Sequence, residues 1–129
     1  MKSLSYLLLS LIVLLSACRK YPEGPNFTVL PRKERIEGKW VAERVKYNEI
    51  DSLAAYKDHI WEFTRNYSVI LQVGDEKRLG IWSTATSDTE FVIEFDDSQT
   101  QKYEILKLTM KEFWLRDKKT QLDFHLKQK

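Results

Sequence analysis

The chain has 129 residues, 43% of them hydrophobic and 31% charged, and its 21 basic and 19 acidic side chains nearly cancel. That size and balance suit one ordinary globular domain and give no electrostatic basis for binding nucleic acid. With four glycines and three prolines, neither a disordered linker protein nor a collagen-like repeat fits, so an apolar core must hold the domain.

Met1-Lys2-Ser3 is a short positive start, and an apolar run from Tyr6 to Leu15 follows it, broken only by Ser10. A run this short is a secretory h-region; crossing a bilayer as a helix needs about 20 apolar residues. Leu15-Ser16-Ala17-Cys18 then resembles the lipobox of bacterial lipoproteins, and Cys18 is the chain's single cysteine. The resemblance implies a signal peptide over 1–17, cleavage before Cys18, a diacylglyceryl group on its thiol and a fatty acyl group such as palmitate on its freed amine. More than one acyl chain anchors stably where one alone is marginal. Only Lys2 lies in the leader, so the mature chain carries 20 basic against 19 acidic side chains.

Residues 19–35 hold all three prolines, Pro22, Pro25 and Pro31, and show no sustained alternation. They read, with Cys18, as a flexible tether over 18–35 whose 17 residues beyond the cysteine reach roughly 55–60 Å when extended. Arg19, Lys20, Arg32, Lys33 and Arg35 make it basic.

From residue 36 to 129 the apolar period is two, the signature of strands with one face buried. Trp61 and Phe63 alternate with Glu62 and Thr64, Phe91, Ile93 and Phe95 with Glu94 and Asp96, and Leu122, Phe124 and Leu126 with Asp123, His125 and Lys127. Arg65-Asn66, Gly74-Asp75-Glu76, Ser87-Asp88, Asp96-Asp97-Ser98 and Asp117-Lys118-Lys119 supply turns between the runs. Eight strands are predicted, near 36–47, 58–65, 67–74, 77–84, 89–96, 101–110, 112–117 and 120–127. Short breaks favour hairpins between neighbours, and an even meander of eight closes most simply into an all-β up-and-down barrel. The stretch 50–56 is the one candidate helical turn, with Asp51 or Ser52 as its cap. Trp61, Phe63, Val69, Leu71, Phe91, Ile93, Phe95, Leu122, Phe124 and Leu126 are expected inside, and Glu62, Gln72, Glu94, Asp123, His125 and Lys127 in solvent.

Gly38-Lys39-Trp40 on the first strand resembles the Gly-x-Trp that opens lipocalins, in which the indole plugs the closed end of the barrel. Lys20-Tyr21-Pro22-Glu23-Gly24-Pro25 is similar to the opening of a group of small lipocalin-like lipoproteins of the Bacteroidetes. Trp61-Glu62-Phe63-Thr64, Gly80-Ile81-Trp82, the stretch from Tyr103 to Thr109 and Phe113-Trp114-Leu115 follow in the same order. The resemblance implies an eight-stranded lipocalin-like barrel without a defined activity. Lipocalins often stack an arginine on that indole, a position open here to Arg116 or Lys127.

Nucleophilic catalysis needs a nucleophile, a base and an orienting group together. With two histidines, His59 and His125, and Cys18 consumed by lipid, no catalytic residue, metal site or cofactor site is assigned. Neither histidine has a second ligand at i+2 or i+4, and Asp96-Asp97 reads as a turn, since a calcium loop would need a glycine and a closing glutamate. The aromatic residues are the informative ones: Trp40, Trp61, Phe63, Trp82 and Phe91 line a candidate ligand cavity, or else form a filled core.

The expected protein is therefore a non-enzymatic lipoprotein of the cell envelope, in the outer membrane. Its barrel either binds a small apolar ligand or an envelope protein, or serves as an accessory subunit with a filled, ligand-free core. Cys18→Ser is expected to abolish lipidation and to move the processed protein from the membrane pellet to the soluble fraction; a processed variant still pelleting with membranes would refute the anchor.

Overall fold

A computed structural model describes residues 21–24, 31–84 and 88–129, together with Ser3 and Tyr6. Cys18, the rest of the leader and the turn residue Ser87 lie outside the described residues. A short helix, α1 (Arg32–Ile36), leads into β1 (Gly38–Tyr47). The strands β2 (Ile50–Asp51), β3 (His59–Phe63), β4 (Ser68–Val73), β5 (Glu76–Ser83), β6 (Glu90–Phe95), β7 (Thr100–Leu108), β8 (Glu112–Asp117) and β9 (Asp123–Gln128) follow, with a 3₁₀ turn, Leu53–Tyr56, between β2 and β3.

Every paired neighbour is antiparallel, and β1 pairs with both β3 and β9. Eight strands thus close into an up-and-down barrel, while β2 is a short ribbon folded back on β1. The β1–β2 hairpin turns through Asn48 (φ 45°) and Glu49 (φ 71°), with Tyr47 facing Ile50. Two consecutive positive φ values are the twist a two-residue hairpin requires, and Asn-Glu conceals it because glycine is the usual marker. Leu53 N–H donates to the Asp51 carboxylate at 2.8 Å, so Asp51 supports the turn; of the stretch 50–56 expected as one helical turn, Leu53–Tyr56 is 3₁₀ and Ile50–Asp51 is strand.

Period-two alternation decides the interior. Trp61, Phe63, Val69, Leu71, Phe91, Ile93, Phe95, Phe124 and Leu126 are buried, and Leu122 packs half-buried against them. The opposite positions are less uniform. Glu94 and Lys127 are exposed, but Glu62, Gln72, Asp123 and His125 are half-covered by neighbours on the outer face. Two glycines are required by geometry. Gly38 sits at φ +131°, which L side chains rarely adopt. A Cβ on Gly80 would meet the Glu94 carbonyl oxygen at 2.3 Å, so β5 and β6 approach too closely there for a side chain.

Two parts of the segment expected to be a free tether are folded. α1 caps one end of the barrel: Arg35 Nη1 donates to the Leu108 carbonyl at 2.8 Å, and Trp40 Nε1 donates to the Ile36 carbonyl at 2.8 Å. Further upstream, residues 21–24 lie as a strap on β7, where Glu23 N–H donates to Leu106 O (2.7 Å) and Leu108 N–H donates to Gly24 O (3.2 Å). The strap fits a local defect. The β7–β8 register shifts between Ile105 and Lys107, as a β-bulge does, and a bulge frees backbone groups from the ladder. Tyr21 is buried at 1% exposure within the main core.

Trp40 and Tyr21 therefore hold the same sealed end. Trp40→Ala is expected to cost about 3–5 kcal/mol, the usual range for a large buried aromatic. Tyr21→Ala is expected to be clearly destabilising as well. Urea unfolding of a lipid-free form beginning at Arg19 measures both; a loss below about 0.5 kcal/mol, the range of surface changes, would remove either residue from the seal.

Candidate functional site

The five aromatic residues expected to line a cavity all point inward and are buried. Phe63, Trp82 and Phe91 meet one another, with ring centroids 6.2, 5.2 and 5.9 Å apart. Phe113, also buried, joins them to the sealed end. It lies 5.1 Å from Phe91, 6.1 Å from Phe63 and 5.6 Å edge-on from Trp40. Trp61 faces Trp40 in register, yet its ring contacts run to His59 at 5.4 Å and Phe124 at 6.2 Å, toward the other end. There Tyr56, from the 3₁₀ turn, stands edge-on to Phe124 at 4.9 Å. Tyr103 joins the two groups, 6.3 Å from Phe91 and 6.2 Å from Phe124, so edge-to-face and tilted pairs run continuously along the barrel, geometries favourable for aromatic rings.

The outer face of β7, β8, β9 and β1 carries a second constellation. Cross-strand pairing places Lys107 beside Trp114, Trp114 beside His125, and His125 beside Arg44. His125 lies flat on the Trp114 indole, 3.9 Å away and within 3° of parallel, and the Lys107 ammonium sits 4.4 Å from the same ring. The expectation of a solvent-facing His125 is thus corrected: it is on the outer face, but the indole covers it.

One register step further, Glu104, Arg116, Asp123 and Lys46 follow one another across the same four strands. Arg116 grips Asp123 with two bonds, Nε to Oδ1 at 2.7 Å and Nη2 to Oδ2 at 3.0 Å. The fork geometry matches a carboxylate bidentately, which raises the arginine's pKa. Arg116 is therefore engaged on the outside, while the Trp40 indole meets Phe113 and α1. Lys127 is exposed.

A cleft of about 230 Å³ above Trp114 and His125 is bordered by Glu23 of the strap, and an adjoining one of about 440 Å³ reaches Asn48 and Gln121. Their lining alternates in charge, so acidic and basic groups already neutralise one another before any ligand arrives. Among the described residues of the barrel, exposed apolar side chains are Leu79 and Ile81 on β5, with Ile70 of β4 facing Leu79, the paired Tyr47 and Ile50 of the β1–β2 hairpin, and Tyr67 and Met110 in connections at the opposite end. Among the described residues no group of three or more histidine, cysteine or acidic side chains could hold a metal ion, and no helix is long and apolar enough to cross a membrane.

Alternation placed His125 outward between Phe124 and Leu126 and gave Trp114 no such assignment. Their stacking was not legible, because it depends on the β8–β9 register. His59, which the sequence gives no second ligand at i+2 or i+4, begins β3 with its ring 5.0 Å from Tyr56 and its Nδ1 buried without a hydrogen-bond partner.

Burial lowers the pKa of both histidines below the ordinary 6.5, helped at His125 by Lys46 and Arg44 and opposed at His59 by Asp58. The unfolded chain therefore takes up protons first as pH falls. The histidine contribution to stability is complete above about pH 6.5 and is lost as pH falls toward the lower folded values. Urea midpoints are expected to drop between pH 7.5 and pH 5.5, and His59→Gln with His125→Gln should flatten that slope; an unchanged slope in the double variant would assign it to other groups.

No protein-family model matches the chain, and no curated protein and no solved structure matches it either.

Proposed function

We propose that the protein is a membrane-anchored lipoprotein of the cell envelope, lipidated at Cys18, whose barrel works through its outer surface on a protein partner. The observation that carries the second half is the packing of Trp40, Trp61, Phe63, Trp82 and Phe91. An eight-stranded barrel is just wide enough either to be filled by side chains or to hold one small ligand. Here the rings meet one another at aromatic contact distance, so a small apolar ligand would have to part Phe63, Trp82 and Phe91 and forfeit those contacts. The outer wall, in contrast, offers Leu79 and Ile81 more than half exposed on one strand. The lipobox resemblance at 15–18 supports the anchor, and the Gly-x-Trp at 38–40 supports kinship with lipocalin-like lipoproteins.

Native mass spectrometry of gently purified, lipidated protein tests the reading. The expected spectrum shows the acylated polypeptide, alone or with a protein partner. A stoichiometric small apolar molecule that leaves only on unfolding would overturn the filled-barrel reading and favour a ligand carrier.

A further inference from the structure

We propose that the sealed end of the barrel lies against the anionic headgroups of the bilayer that holds Cys18, with the 3₁₀ end pointing away. The inference rests on the lipid anchor proposed above. It adds an orientation and a contact surface that the anchor alone does not supply.

The length of free chain comes first. A tether running through residue 35 would let the barrel tumble within roughly 55–60 Å of the membrane. The strap removes most of that freedom, because Tyr21 is buried and the next residues are bonded to β7. Only Arg19 and Lys20 then separate the lipidated cysteine from folded Tyr21, a reach of about 10–11 Å over three residue steps. Tyr21 also fixes which end is near. Its ring lies 6.0 Å from the Arg35 guanidinium of α1, and Arg32 and Asp88 at the same end act on its hydroxyl. The chain therefore leaves the barrel for the membrane beside the sealed end.

Charge is divided between the two ends in the matching sense. At the sealed end, residues 31–37, 64–67, 84, 88–89 and 109–111, and Lys129 hold six basic and three acidic side chains. At the other end, 48–58, 74–75, 96–99 and 118–122 hold three basic and six acidic. Arg19 and Lys20 add two more positive charges between the anchor and the strap. Attraction between basic juxtamembrane groups and anionic lipid decays within a Debye length, about 8 Å at physiological salt. A reach of about 10–11 Å keeps the sealed rim close to that range, whereas a free tether of roughly 55–60 Å would not.

Both ends expose a tyrosine and an apolar side chain, Tyr47 (43%) and Ile50 (65%) beside Glu49 and Asp51 at the far end, so the basic neighbours are what fit the sealed rim to anionic headgroups. Tyr67 is 47% exposed and Met110 44% exposed there, beside Lys33, Arg65 and Lys111. Lys33 sits 4.1 Å from the Tyr67 ring. Tyrosine is favoured at headgroup depth because one edge is apolar and the other wet.

The test uses full-length lipidated protein in vesicles of phosphatidylethanolamine and phosphatidylglycerol carrying a headgroup nitroxide. A fluorophore is attached through Lys111→Cys at the sealed rim or Lys119→Cys at the far end, substitutions that each remove one positive charge. The ends are about 20 Å apart, the length of a six-residue strand such as β8. Quenching several-fold stronger at position 111 than at 119 is expected, and equal or reversed quenching in protein that floats with the vesicles overturns the orientation. Replacing phosphatidylglycerol by phosphatidylcholine should narrow the difference; no change overturns the role given to anionic headgroups. Protein that fails to float overturns the Cys18 anchor, and the orientation with it.

Discussion

The fold depends on how β1 is shared between two neighbours. Through Gly38 to Val41 it pairs with β3, and from Trp40 to Lys46 it pairs with β9. Without that double pairing the meander would remain an open sheet, with two edges free to recruit other chains. A register shift between Ala42 and Arg44 lets one strand serve both sides, since a bulge bends and twists the strand that carries it. Beyond Val41 the β3 side of β1 is left without its partner. The returning segment fills that gap: β2 pairs with Lys46 and Tyr47, and Ser52 N–H donates to Val45 O at 2.7 Å. The 3₁₀ turn is thereby fixed over the end of the barrel, where Tyr56 reaches Phe124. Connection and wall are one structural solution.

Closure explains why so much of the interior was legible from alternation. Once the sheet is a cylinder, every second residue has only one place to go, and the ten positions assigned inward from Trp61 to Leu126 follow that rule. The outer face obeys no comparable rule, and Asp123 and His125 show why. Each was expected in solvent because its neighbours are apolar, but a side chain on a convex sheet still has cross-strand partners about 5 Å away. Arg116 for Asp123, and Trp114 for His125, are set by the β8–β9 register, which depends on the turn over 118–122. Gln121 takes a positive φ of 63° in that turn, something its residue type does not announce.

The strap and α1 were hidden for a different reason. Residues 19–35 have neither period, and prolines at 22, 25 and 31 read as breakers. Their order comes from tertiary contacts instead. Arg35 shows how dependent those contacts are on the finished barrel. Its guanidinium is buried at 3% exposure and burial lowers its pKa, while the nearby Tyr21 opposes that effect. A buried charge is costly without partners, so α1 cannot dock until the end of β7 presents the Leu108 carbonyl and the strap presents Tyr21. In sequence the three residues are separated by 14 and 73 positions, and no local pattern links them.

That dependence also makes the sealed end a cooperative unit. Ile36 accepts the Trp40 indole N–H, Leu108 accepts Arg35 and gives its own N–H to Gly24, and Tyr21 lies beside Arg35. Loosening any one exposes the others: if the strap lifts, Arg35 loses the ring next to its guanidinium, and if α1 lifts, the Trp40 indole loses its acceptor. The opposite end has no such interlock. It is closed by a single short turn through ring contacts among Tyr56, His59, Trp61 and Phe124, and His59 there keeps a buried Nδ1 without a partner. The physical expectation is a barrel opening preferentially from the 3₁₀ end, because the sealed end adds the Arg35–Leu108, Trp40–Ile36 and strap–β7 hydrogen bonds to its ring contacts, while each end holds a buried unpaired nitrogen, His59 Nδ1 and Arg35 Nε.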